Sequence, residues 1–101
     1  MNLDEGEGEH SDKVNFALLK SYPNPCRSEV EISFSIADES DIELEIYNLK
    51  GQKVKAHSVE SRGAGIFSKT INTSDLPSGL YFYKLSSENG SSDIKKMIIL
   101  K

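Results

Sequence analysis

Apolar and polar residues alternate with a period of two along most of this chain. In VEISFSI, Val30, Ile32, Phe34 and Ile36 are separated by Glu31, Ser33 and Ser35; in DIELEIYN, Ile42, Leu44 and Ile46 are separated by Glu43 and Glu45. A repeat of 180° per residue gives an extended strand one apolar face, whereas a helix would smear those positions around its circumference. Both stretches are predicted as strands, and the polar ADES between them as a short hairpin connection. FALLKSY predicts an earlier strand, stopped by Pro23 and Pro25. NLKG supplies a turn in which Gly51 can take positive φ. A weaker strand follows over residues 52–59, and ESRGAG turns the chain again. Residues 66–72 carry Phe67 and Ile71 on one face with Lys69 between them. TSDLPSG is a longer corner in which Pro77 excludes regular strand pairing. LYFYKLS is apolar on both faces, as a strand in the middle of a sheet would be. ENGSS is a turn on the strength of its Asn-Gly pair, and a last strand is expected over about 93–101. About seven short strands, spaced roughly ten residues apart and with no helical period, predict an all-β, immunoglobulin-like sandwich of antiparallel strands.

Composition narrows this picture. The 101 residues fit one small domain, and 37% hydrophobic with 28% charged residues describes a globular chain. Apolar runs such as 97–100 are four residues long. A bilayer demands about 20, so no membrane insertion is expected. The net charge is −4, and Asp4, Glu5, Glu7, Glu9 and Asp12 all lie in the first twelve residues; removing those five acids leaves +1 for residues 13–101. A nucleic-acid partner needs a basic face, which a near-neutral body does not offer. Residues 1–13 read as a flexible, self-repelling acidic linker, or as residues added for expression, with the folded domain at 14–101. That first segment has neither the basic nor the apolar region of a secretory signal peptide.

Chemistry-bearing groups are sparse. Cys26 is the only cysteine, so no internal disulfide forms, and a small buried hydrophobe is its expected role. His10 and His57 lack the companions of a zinc site, no nucleophile elbow or P-loop occurs, and the first-segment acids lack the spacing of a calcium loop. Glu43 and Glu45 share a face and read as solvated surface. Neither catalysis nor a cofactor or metal is therefore expected. DLPSGLYFY has the form of a tyrosine corner, in which Tyr81 returns its hydroxyl to upstream backbone while Leu76 plugs the core. YPNP at 22–25 is a rigid turn, which a partner can bind with little entropy loss.

From residue 18 to 101 these features together resemble the type A C-terminal sorting domain of the Por secretion system, also called type IX secretion. The markers stand in order: YPNP at 22–25, ISFSI at 32–36, IYNLKGQKV at 46–54, Gly65, LPSGLYFYKL at 76–85 and KKMIILK at 95–101. Cys26 and Ile71 stand where that family often has aromatics, and Lys69 where it is often apolar, which implies an altered core within the same fold. The resemblance implies a module at the end of a larger exported protein, whose own signal peptide lies at the far end. It implies recognition by the type IX machinery in the periplasm and passage of the cargo across the outer membrane. A sortase-like peptidase then removes the module, and the cargo is attached to the surface or released. The implied sorting-motif residues are Tyr22, Pro23, Asn24, Pro25, Gly51, Gln52, Gly79, Tyr81, Lys95, Lys96 and Lys101. Met97 to Leu100 are expected to pack in the core while the three lysines present charge. An open sheet edge there could add a partner strand or support a homodimer. The alternative is an immunoglobulin-like accessory or carbohydrate-binding module of an extracellular enzyme, for which Tyr47 and Tyr83 would be the surface aromatics.

Overall fold

The computed structural model describes residues 15–101 apart from 39, 62 and 89; the expected linker at 1–13 lies outside them. Eight strands follow in order: β1 Phe16–Tyr22, β2 Glu29–Ile36, β3 Ser40–Tyr47, β4 Lys53–Ser61, β5 Gly65–Asn72, β6 Gly79–Ser87, β7 Gly90–Ser91 and β8 Lys95–Ile99. A three-stranded sheet has the order β1-β2-β5, and a five-stranded sheet runs β4-β3-β6-β7 with β8 also on β6. All these strand pairs are antiparallel. The chain is an all-β sandwich, with β6 in the middle of its sheet as its two apolar faces require.

The alternating residues meet between the layers. Val30, Ile32, Phe34 and Ile36 of β2 are buried, as are Ile42, Leu44 and Ile46 of β3 and Tyr81, Tyr83 and Leu85 of β6. Each such side chain contributes about 1.5–3 kcal/mol by leaving water. Cys26 and Ile71 are fully buried and so take up core places. Leu19, next after buried Leu18 in the alternation, faces outward and is exposed at a β1–β2 register shift between Leu18 and Lys20.

Several expectations need correction. ADES is not a hairpin: β2 and β3 lie in different sheets. Period-two alternation marks an amphipathic strand but does not say whether its neighbour pairs edge to edge or stacks face to face. The expectation of about seven strands holds, with β7, two residues long and paired with β6, as an eighth. β8 is shorter than expected and buries Met97 and Ile99 only; Ile98 and Leu100 face outward at 41% and 49% exposure. Tyr83 belongs to the core, and Glu45 is buried instead of solvated.

Candidate functional site

One pole of the sandwich gathers the ends of β1, β3 and β8 and the starts of β2, β4 and β6. YPNP leaves β1 there, with both X–Pro bonds cis. Asn24 reaches the outer edge of β8: its Nδ2 donates to Lys96 O at 3.3 Å, and its Oδ1 accepts from Ile98 N at 3.0 Å. The same edge continues with Cys26 N donating to Ile98 O (2.9 Å) and Leu100 N donating to Cys26 O (2.8 Å). The carboxamide of Asn24 thus stands in for a peptide group at the head of a short parallel ladder. Pro23 and Pro25 have no N–H to contribute, so the flanking backbone could not donate in its place. The edge of β8 is consequently occupied from Lys96 to Leu100.

The corner between β5 and β6 closes beside it. Thr73, fully buried, donates from its hydroxyl to Arg27 O at 3.0 Å, and its N–H bonds Ser28 O. Leu76 plugs the core, and the Tyr81 hydroxyl donates to Pro77 O at 2.7 Å, as the corner motif predicts. Gly79 pairs with Ile99. Lys101 is anchored here: its N–H donates to Ser78 Oγ, and its ammonium to Ser74 O (2.7 Å) and Thr73 O (3.3 Å).

The β3–β4 turn forms the third wall. Gly51 has φ +84°, a conformation that disfavours any side chain, and its N–H bonds Asn48 O. Asn48 organises the loop: Oδ1 accepts from Lys50 N and Gln52 N, and Nδ2 donates to Gln52 Oε1. A depression of about 300 Å³ separates turn from corner, bounded by Leu49, Gln52, Ser78, Gly79, Leu80 and Tyr81 among others.

The pole therefore unites Asn24 with Lys96, Gly51 and Gln52 with Gly79 and Tyr81, and Lys101 with the corner. Tyr22, Pro23 and Pro25 are exposed at its rim. Lys95 pairs with Tyr83 farther along β8, outside this convergence, and is exposed like Lys96. Sequence reasoning missed Thr73, Ser78 and Asn48. Asn48 was findable, since an Asn opening a Gly-containing turn commonly accepts from the following N–H groups.

Charge on the outer face of the larger sheet centres on Glu45. Burial opposes its ionisation, but hydrogen bonds from Tyr47 and Lys53, with lesser help from Glu43 and Ser86, outweigh this and bring its pKa down to about 2. Tyr47 donates to Oε1 at 2.7 Å, and Lys53 sits 3.0 Å from Oε2. The Lys84 ammonium lies 5.4 Å from the Tyr47 ring centroid. On β4, burial first, then the charges of Lys69 and Lys55, hold His57 below the ordinary histidine pKa. Among the described residues, no group of three or more His, Cys, Asp or Glu could hold a metal ion, and no helix is long and apolar enough to cross a membrane.

Comparison with known proteins decides the family. A family model described as the secretion system C-terminal sorting domain, of the Por system, matches residues 20–100. The chain belongs to that family. It is a type IX secretion C-terminal sorting domain, a family that is not catalytic, acts with the type IX machinery, and marks secreted proteins with an outer-membrane or extracellular destination. Among solved structures, dimeric latent PorU from Porphyromonas gingivalis is similar at TM-score 0.68 and 22% identity, covering 82% of this chain and 9% of that one. A β-glucosidase from Kluyveromyces marxianus is similar at TM-score 0.54 and 12% identity, over 86% of this chain and 14% of that one. The CARDB domain of the PF1109 protein from Pyrococcus furiosus, solved with di-metal ions, follows at 0.50 and 12%, over 85% of this chain and 86% of that one. These likenesses are of fold alone, and the sorting domain spans about a tenth of the length of PorU. No curated protein matches it.

Proposed function

We propose that this sorting domain carries an upstream cargo from the periplasm across the outer membrane, that the pole built by YPNP, the β3–β4 turn, the tyrosine corner and β8 is what the machinery reads, and that the cargo is then attached to the surface or released. The observation that supports this reading is the convergence of four separated motifs on one end of the sandwich, with β8 held there by Asn24. Lys95 and Lys96 are exposed and steer the encounter, since fixed positive charge raises the rate of productive association with an acidic surface. Lys101 acts differently, fastening the chain beyond β8 to the 73–78 corner. A sortase-like peptidase removes the domain from its cargo. Self-pairing through a sheet edge would use β1, β4 or β5, because the β8 edge is already bonded to Asn24 and Cys26.

The test is export of a reporter fused ahead of the domain in a bacterium with type IX secretion. Surface display of the fusion is expected, with loss of display on deleting 95–101 and slower export when Lys95 and Lys96 are changed to Gln in the folded domain. A reporter displayed normally without residues 95–101 would end this reading.

A further inference from the structure

The two sheets of this sandwich differ on their outer faces. On the smaller one, Glu29, Glu31, Ser33 and Ser35 of β2 point outward, with exposed Ile66 of β5 opposite Ser35. On the larger one, the pole end is apolar. Leu80 stands opposite Ile98 and Phe82 opposite Tyr47 on that outer face. Leu49, 70% exposed, extends the patch over the turn and borders the depression. A contiguous apolar surface on a small soluble domain marks a contact site more often than a scatter of single residues does.

Its border is basic. Lys84 and Lys96 project from the same face, and Lys50 lines the depression. The acids of this face are Asp41, Glu43, Glu45 and Glu60; Asp41 and Glu60 stand opposite each other at the end of β3 away from the patch, and Lys53 lies within 4 Å of Glu43 and Glu45, at 3.8 and 3.0 Å. Two copies of this face brought together would set lysines against lysines. A partner with carboxylates around an apolar anchor would complement it, because like charges repel across an interface and opposite charges fix its register.

We propose that this patch, centred on Leu49, Leu80, Phe82 and Ile98, is a docking surface for a partner protein that presents an apolar side chain ringed by carboxylates. The proposal rests on the sorting reading and adds a contact face that lies largely outside the terminal strand.

The test uses the same reporter fusion, carrying Leu49→Ser with Leu80→Ser, neither of which lies in β8. Retained thermal unfolding and strand content establish that the variant is folded. Display is expected to fall about tenfold, the scale of losing one well-buried anchor, while Ile66→Ser, an exposed apolar residue on the other sheet, leaves it unchanged. Lys50→Glu with Lys84→Glu, which leaves the apolar residues in place, is expected to lower display as much. If the wild-type fusion is not displayed, the sorting reading itself fails. If the wild type is displayed and both folded variants match it, the docking surface alone is refuted. Two further results would overturn it: a dimer of the purified domain abolished by Leu80→Ser, or co-sedimentation with phosphatidylglycerol vesicles abolished by the same change.

Discussion

Tyr81 shows how much a single side chain contributes at the pole. Its ring is buried and its hydroxyl satisfies the carbonyl of Pro77. Tyr81→Phe keeps the ring and orphans that carbonyl, and chemical denaturation should find the domain about 1–2 kcal/mol less stable. This residue was legible in the sequence because the bond spans four positions and depends on the local corner alone. Glu45 was not. Alternation puts it on the outer face, and only the fold lays Tyr47 and Lys53 over it. Its ionised form is favoured in the native state, so its contribution is fully present above about pH 4.5, the unfolded value, and is lost as pH falls toward about 2. The contribution is on the order of 2 kcal/mol once screening at the half-exposed Lys53 is allowed for. Urea titrations of wild type and Glu45→Gln at about pH 7 and about pH 3 should therefore differ more at the higher pH. His57 acts in the same direction at higher pH: its native pKa lies below the unfolded value, so the unfolded chain takes up the proton first and stability falls on acidification through the histidine range.

Among the elements, β8 depends on partners at both edges. β6 bonds one side, and Asn24 with Cys26 bonds the other. Asn24→Ala removes two of the outer bonds and leaves the Ile98 N–H without its acceptor. The expected cost is about 1–3 kcal/mol, and amide exchange at Ile98 should quicken more than at Tyr83, whose strand is enclosed by its neighbours. The strands themselves were legible from period two, and so was the central place of β6. Which sheet each joined was not, because the change of layer between β2 and β3 uses a connection as short and polar as a hairpin. The outward-facing half of 97–100 was hidden for a similar reason: four apolar residues in a row give no alternation from which to choose a face.

For the whole molecule, the core is shared by both layers and cannot lose one strand cheaply. Met97 and Ile99 are essentially inaccessible to solvent. Truncating a buried residue of this size costs about 2–5 kcal/mol, and a domain this small has about 5–15 kcal/mol in total. Residues 1–94 alone should therefore show no cooperative thermal transition by circular dichroism, a check that separates loss of fold from loss of signal in the export assay. The bonds between Asn24 and β8 join positions 72 and 74 apart in the sequence. During synthesis the carboxamide of Asn24 waits for nearly the whole remaining domain to emerge before its acceptor and donor exist. On the proposed reading, a strand made more than seventy residues after Asn24 is both the keystone and the destination tag, so a polypeptide stalled or clipped before it carries no readable tag and stays behind.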